Sequence, residues 1–496
     1  MAGRRIIRVR GEAVNRVVYS LLPVVGLLAG CVTPPALGPA PEPKSASAYA
    51  ASLSFAAPDA HWPKQAWWNS YGDSQLTALI EEGLAASPTV IQASARLRRA
   101  EALAGSAKAA LAPSVGIDAS VSGARPTTQN GIPVTPERQG WNDYAKASLG
   151  FSWEIDFWGK NRAALKAATS EAWAAEADVA AARLMISTAI ASSYADLARL
   201  YADRDVLAAT ATVREHSLRL VRARTDHGLD SDADLAQAEA GPPAARADLA
   251  ATDEALALVL NRLAALLGAG PDRGLAIDRP HEPSLERLGL PASLSSDLLG
   301  RRPDIIAARW RAEAAAKRID VAHAQFYPSV NLLGFIGLDA LGLRNIANGG
   351  ADTGSVGAAL NLPIFDAGRR RANYRGARAD YDLAVSSYDE TVTQALREVA
   401  DAVQSRRMLD RQIEESRASL DATERAYRLA QLRYTSGAAD YQSVLLVEDR
   451  LLQRRRILAG LTSRAFLLSV ALVRALGGEP VGGPASGPAF LPAFRK

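Results

Sequence analysis

Apolar residues recur along this chain with two different periods, and the two periods alternate in a fixed order. Ala, Leu, Ile and Val return every three or four positions over about residues 75–111 and again over about 294–325, with Arg and Glu between them. That spacing predicts amphipathic helices. Each stretch stops at Pro-Ser-Val, Pro113-Ser114-Val115 and Pro328-Ser329-Val330, because proline removes an amide and clashes with the preceding turn. The period then becomes two. Val115, Ile117, Ala119 and Val121 alternate with Ser114, Gly116, Asp118 and Ser120, and Leu149, Phe151, Trp153 and Ile155 with Ser148, Gly150, Ser152 and Glu154. Val330, Leu332 and Gly334 onward, then Val356, Ala358, Leu360 and Leu362, repeat the pattern in the second half. Two strands per half are predicted, joined by Gly/Pro/Asn-rich loops at 125–142 and 340–354. Strands with one face in lipid and the other in water need this alternation, and so does an ordinary soluble hairpin.

Helical spacing then returns without a single proline between Gly159 and Gly228, and between Gly368 and Gly437. Each interval is 69 positions, so each predicts a helix of roughly 100 Å at 1.5 Å per residue. Charges such as Arg204, Asp205, Arg214 and Glu215 run through it, so these helices belong in water, packed on one another as in a coiled coil. Gly228 and Gly437 reverse the chain, and shorter helices return to Gly268 and Gly477. The two shorter helices of a half match one long helix in length, so they are expected end to end beside it, with the linker 268–291 near the junction.

The order is an internal duplication. Ile155, Gly159, Arg224, Gly228, Glu239 and Gly268 recur 209 positions on as Ile364, Gly368, Arg433, Gly437, Glu448 and Gly477. Pro88 and Pro113 recur 215 positions on as Pro303 and Pro328. A repeat of this kind predicts a pseudo-symmetric body, with a first repeat at 71–285, a second at 286–478 and a tail at 479–496. One departure stands out. Gly241-Pro242-Pro243 interrupts the first returning helix where the second has Arg450-Leu451-Leu452, and interior proline predicts a kink or a short break.

Charge changes the picture only at the N-terminus. The net charge of +4 is carried by residues 1–30, through Arg4, Arg5, Arg8, Arg10 and Arg16 against Glu12, and the remainder is neutral. Nothing in it calls for nucleic acid. The arginines precede an apolar run from Val17 to Ala29 and then Cys31, which reads as a secretory signal at 1–30. Leu28-Ala29-Gly30-Cys31 resembles the bacterial lipobox, which implies cleavage and acylation of Cys31, and Val32 then permits sorting to the outer membrane; the other reading is an uncleaved anchor. A Pro/Ala/Ser-rich stretch follows, and residues 31–70 read as a tether from lipid to body. Cys31 is the sole cysteine, so no internal disulfide forms.

No other segment offers some eighteen uninterrupted apolar residues, so a membrane crossing must use strands. Open sheet edges are not tolerated in lipid, and four strands do not close a barrel. Three copies supply about twelve, within the range of membrane barrels. The fold class expected is mainly α with a small β part: a trimeric 12-stranded outer-membrane barrel continued by a helical coiled-coil barrel, a conduit for solutes.

These residues resemble the TolC-like outer-membrane efflux channels of the lipoprotein branch serving RND-type pumps. The resemblance lies in Trp67-Trp68 with Asp73 and Leu76, Arg301-Arg302-Pro303-Asp304-Ile305, Ala324-Gln325-Phe326-Tyr327-Pro328-Ser329, Leu362-Pro363-Ile364-Phe365-Asp366-Ala367-Gly368-Arg369 and Trp153-Glu154-Ile155-Asp156-Phe157-Trp158-Gly159-Lys160. It implies a homotrimer, a periplasmic adaptor (membrane fusion) protein, an inner-membrane RND-type transporter and no cofactor. It also implies a sharp barrel-to-helix junction at Gly159 and Gly368. The adaptor is expected to meet the two helix turns, where Arg224 and Arg433 each stand four residues before the glycine. Asp226, Asp230, Asp232, Asp234 and Asp440 make those turns acidic, and three copies would form rings that pair with Arg433 or Tyr434 to hold an aperture narrow. The plainer reading is that such aspartates, Asp230 and Asp232 above all, cap helix starts. The five histidines are not spaced as a zinc pair, and no HExxH, GxSxG or P-loop pattern is present, so no enzyme is expected. Two other readings remain open: a protein-secretion or metal-efflux channel, and a lipid-anchored coiled-coil scaffold without a pore.

Overall fold

The computed structural model describes residues 33–44, 48–49, 55, 62, 66–127, 129–131, 133–281 and 300–478. The leader 1–30, Cys31, much of the segment 45–65, part of the inter-repeat linker (282–299) and the tail 479–496 lie outside the described residues.

The elements follow the predicted order twice. Helices α1 (Ser74–Ala86) and α2 (Pro88–Ala109) lead to strands β1 (Ser114–Ala124) and β2 (Asn142–Ile155), then to α3 (Lys160–Asp226) and α4 (Asp232–Leu266). In the second half α5 (Pro303–Ala324) leads to β3 (Ser329–Leu341) and β4 (Asp352–Asn361), then to α6 (Arg369–Thr435) and α7 (Tyr441–Ala475). The duplicated ruler is kept to the residue: α3 and α6 each have 67 residues, and α4 and α7 each have 35.

Three expectations need correction. The first helix is two, because Pro88 forces Ser87 out of helical backbone (φ −59°, ψ 126°); the residue before a proline is sterically barred from the α region. Trp67 and Trp68 are not tether: with Tyr71 they form a buried 3-10 turn in the core. Of the kink or short break predicted at Gly241-Pro242-Pro243, the break does not occur, since α4 continues through both prolines with Pro242 buried. Gly241 has a reason to be there. A Cβ at that position would lie 3.1 Å from Cδ of Arg214, so the missing side chain lets that arginine pass.

The described residues divide into two compact units, and each draws on both repeats. The first, within residues 1–42, 99–172 and 310–386, contains one antiparallel sheet in the order β1-β2-β3-β4. Its register pairs Ile117 with Leu149, Leu149 with Ile336, and Ile336 with Gly354. Cross-strand partners share a face, so the alternation of each strand sums to one apolar face running across all four. Within the chain that face is uncovered: Ile117 is 78% exposed, Ile336 67% and Val356 79%. The opposite face carries Asp118, Ser120, Lys146, Ser148, Asp339 and Ser355. Below the sheet, Ala312, Ala315 and Ile319 of α5 pack on Tyr381 and Val385 of α6, with Leu37 and Ala40 against them. Residues 33–44 are therefore a docked strap rather than a loose tether. Arg378 donates to the carbonyls of Gly38 and Pro39, and the Tyr381 hydroxyl donates to that of Pro41 at 3.2 Å.

The second unit, within 43–98, 173–309 and 387–496, holds the larger core. Trp67, Trp68, Tyr71, Leu76 and Ile80 pack on Ile186, Ile190 and Tyr194 of α3 and on Phe466 and Val470 of α7. Asp73 caps α1 through the amide of Leu76 (3.0 Å) and accepts the buried Tyr194 hydroxyl at 2.7 Å. The end-to-end junctions expected of the short helices are present. Gly268 abuts Ala86 and Pro88, and its repeat mate Gly477 abuts Arg301 and Arg302; in both, an added Cβ would come within 3.0 Å of backbone atoms. Arg302, buried, holds the second junction by donating to Asp304 (2.6 Å), Glu398 (2.8 Å) and the Ala475 carbonyl (3.1 Å). Both carboxylates are partly exposed, so Arg302→Ala is expected to cost about 2 kcal/mol, read as a lower thermal-unfolding midpoint. The C-terminal part of α7 is also long and apolar enough to cross a membrane by length and composition, but Phe466, Val470 and Leu472 are built into the cores.

Candidate functional site

The two helix turns are built alike. Gly228 (φ 73°) and Gly437 (φ 74°) adopt the left-handed conformation that a residue with Cβ resists. Each closes a Schellman-type end. Leu229 N–H bonds the Arg224 carbonyl and Ala438 N–H the Arg433 carbonyl, both at 2.8 Å. The arginine four residues before each glycine thus stands at a fixed place in the cap. Leaving the turns, α4 is capped by Ser231, whose hydroxyl accepts from Asp234 N–H while the Asp234 side chain accepts from Ser231 N–H. Asp440 caps α7 through Ser443 N–H at 3.0 Å, and those hydrogen bonds hold its carboxyl below the usual range. Asp232 sits in the first turn of α4, where its charge meets the helix dipole, but it is not the cap.

Asp230 does not cap either. Its two oxygens accept from Arg224 at 3.0 and 3.2 Å, and one also accepts from the Tyr434 hydroxyl. The Arg224 guanidinium lies 4.6 Å from the centre of the Tyr434 ring. The network joins one repeat's turn to the other's, with Asp230 and Arg224 side chains only 7% and 17% exposed. Burial opposes ionisation of Asp230, yet the hydrogen bonds from Arg224 and Tyr434 outweigh it and hold its pKa below the ordinary value. Burial, then the bond to Asp230, pushes the Tyr434 phenol up. A carboxylate with a depressed folded-state pKa stabilises above its unfolded pKa and loses that stabilisation as pH falls through the folded one. The pair therefore holds at neutral and mildly acidic pH. Asp226 and Arg433 stand apart from it: both are exposed, and neither forms an ion pair among the described residues. Within one chain the charged contact between the turns is made by Arg224, Asp230 and Tyr434, and not by Asp226 and Arg433.

Sequence reasoning missed the layer behind this network. Val221, Ala238, Tyr434, Tyr441, Val444 and Leu445 form a small core under the turns. Behind it, Glu448 is buried 2.9 Å from Arg214 Nε. The contact is not aligned as a hydrogen bond, and neither Glu448 oxygen has a hydrogen-bond partner among the described residues. Burial raises the Glu448 pKa, Arg214 opposes the rise, and Asp449 adds to it. Burial with Glu448 nearby also pushes Tyr427 up to about 12. The only sequence signal was the repeat itself: the mate of Glu448, Glu239, is half exposed and pairs with Arg222. A raised carboxylate pKa means that folding favours the protonated form, with the benefit present at low pH and lost as pH rises through the folded value. Glu448→Gln is accordingly expected to raise the melting midpoint at neutral pH and to flatten its rise toward pH ~4.5. Thermal scans across that window check it.

At the other end of the long helices, Gly159 (φ 77°) and Gly368 (φ 88°) carry the strand-to-helix turns, and Ala367 (φ 54°) shares the strain in the second. Asp156 accepts from the amides of Asn161 and Arg162, and Asp366 from those of Gly368 and Arg370, so each turn feeds its helix through an aspartate. Among the described residues no group of three or more His, Cys, Asp or Glu is placed to hold a metal ion.

A model of the family described as "Outer membrane efflux protein" matches residues 79–269 and 294–478. The multidrug resistance outer membrane protein MdtP of Escherichia coli K12 is 30% identical over 84% of this chain and 87% of its own length. The fusaric acid resistance protein FusA of Burkholderia cepacia is 36% identical over 66% of this chain, which spans 62% of FusA. The crystal structure of the outer membrane protein VceC of Vibrio cholerae superposes with a TM-score of 0.80 at 44% identity, covering 84% of this chain and 100% of that one.

Proposed function

Because the chain belongs to the outer membrane efflux protein family, we propose that it is the passive outer-membrane outlet of a tripartite efflux system. Three copies join through the free edges of β1 and β4 into a twelve-stranded barrel. The helical hairpins supply the periplasmic part of the conduit, and their turns meet a periplasmic adaptor that delivers cargo from an inner-membrane RND-type pump. The cargo class is drugs or other small molecules, in keeping with the resistance proteins it resembles. Cys31, outside the described residues, carries the acyl anchor. The catalytic inventory is empty in this reading, because a conduit performs no bond chemistry.

One observation carries the proposal: among the described residues, a four-stranded sheet has an apolar face uncovered across its whole width and two unpaired edges. In water that surface and those edges are liabilities; in a bilayer, with neighbours on both sides, they are satisfied. Planar-bilayer recording and cross-linking of the purified full chain test it. Stable trimers with discrete conductance steps are expected. A monomer that stays soluble without detergent and passes no current overturns it.

A further inference from the structure

We infer that the strand-to-helix junction holds a binding site for the phosphodiester headgroup of an anionic phospholipid. The site is a pocket of about 230 Å³ within the first unit, walled by Trp158, Tyr327, Pro328, Asn361, Arg369 and Arg370. It lies where the apolar face of the sheet ends, at Ile155, Val330 and Leu360. Its level is therefore the membrane interface, where headgroups stand. Exposed aromatics gather there, Phe365 (88%), Phe157 (61%) and Trp158 (51%), as in the girdles that mark barrel rims. Trp158 is fixed by stacking on Tyr327 (4.7 Å between centroids, 17° between planes) and by donating to the Pro328 carbonyl at 2.8 Å.

The charge balance asks for an anion. Glu154 is neutralised by Lys160 at 2.6 Å, and Asp156 by Arg162 and two helix amides. Arg369 is exposed and has no carboxylate partner among the described residues. Arg370 is 92% buried; its Nε donates to Asp366 at 2.8 Å, but its Nη1 has no hydrogen-bond partner among the described residues. A buried guanidinium nitrogen left unpaired is costly. Together with Arg371 these residues put three arginines, and no acid, in the first turn of α6, the end whose dipole already repels cations. A phosphate oxygen pair answers all three features at once. Helix starts bind such groups, arginine forks match them, and basic pockets at interface level take anionic headgroups.

The inference rests on the barrel reading and is separable from it. Native mass spectrometry of the full-length trimer would use added phosphatidylglycerol, phosphatidylcholine and, in a third arm, excess inorganic phosphate. Wild type is expected to keep phosphatidylglycerol at energies that strip phosphatidylcholine, and phosphate is expected not to displace it. Arg369→Gln should lower that retention several-fold, and Arg370→Lys, which keeps the charge but loses the fork, should lower it too. Both variants should still form trimers of unchanged conductance. Equal retention of the two lipids, equal retention by wild type and Arg369→Gln, or displacement by inorganic phosphate overturns the lipid site. Loss of conductance in wild type overturns the barrel instead.

Discussion

Gly337→Val abolishes the trimer, on the geometry of the sheet, while Gly150→Ala leaves it intact. Both glycines are in the two central strands, on the polar face. A Cβ at 337 would stand 2.4 Å from the Ala147 carbonyl oxygen and 2.8 Å from Ser148 Cα, closer than real side chains approach backbone. At 150 the nearest atom would be 4.0 Å away. Neither Ala147 nor Ser148 can yield without breaking the ladder between β2 and β3. The cost is about 3 kcal/mol or more, the upper end for overpacking, and it falls on the strand pair in the middle of each protomer's sheet. The readout is the trimer band in outer membranes on unheated gels. Trimer from Gly337→Val in normal yield would show that the register is not the one that matters.

Removing the Arg224 side chain is expected to widen the conduit. Arg224→Ala is expected to raise mean single-channel conductance several-fold, with Asp230→Asn intermediate and Tyr434→Phe smaller. Arg224 donates twice to a carboxylate that is 7% exposed, and it is the only cation on that carboxylate among the described residues. Its loss costs about 1.5–3 kcal/mol within the first turn and removes the guanidinium that lies over the Tyr434 ring of the second. Tyr434→Phe keeps the ring under the guanidinium and gives up a single hydrogen bond. Asp226→Ala and Arg433→Ala should change the conductance little, since neither residue has a partner within its own chain among the described residues. Unchanged current in Arg224→Ala and Asp230→Asn alike would remove this network from any gating role.

The contrast between Asp226 and Asp230 shows where reading the chain reached its limit. Both are aspartates near one glycine, and both lie within six residues of Arg224, which pairs with Asp230 and not with Asp226. Tyr434, 204 positions away, separates them further, because the second repeat brings it over Asp230 and not over Asp226. Glu239 and Glu448 make the same point. They are repeat mates at identical helix positions, yet one is half exposed and pairs with Arg222 while the other is buried against Arg214. Arg301-Arg302-Pro303-Asp304 was visible as a motif, but its purpose, holding Gly477 and the end of α7 against the start of α5, needed coordinates. At the double proline the break did not follow, because propensity counts only what a helix loses locally, and α4 runs on with Pro242 buried.

By itself the sequence determined what depends on period and spacing: the order of elements, the equal helix lengths, the glycines with positive φ, and the two-faced strands. These follow from backbone sterics and side-chain alternation, which act within a few residues and repeat faithfully in both halves. Tertiary structure alone decided which of several equivalent charges is buried, which carboxylate meets which arginine, that residues 33–44 lie as a strap along α6, and that one nitrogen of the buried Arg370 guanidinium has no hydrogen-bond partner among the described residues. Those outcomes depend on desolvation and on contacts between residues hundreds of positions apart, and one side chain's identity does not encode its neighbours.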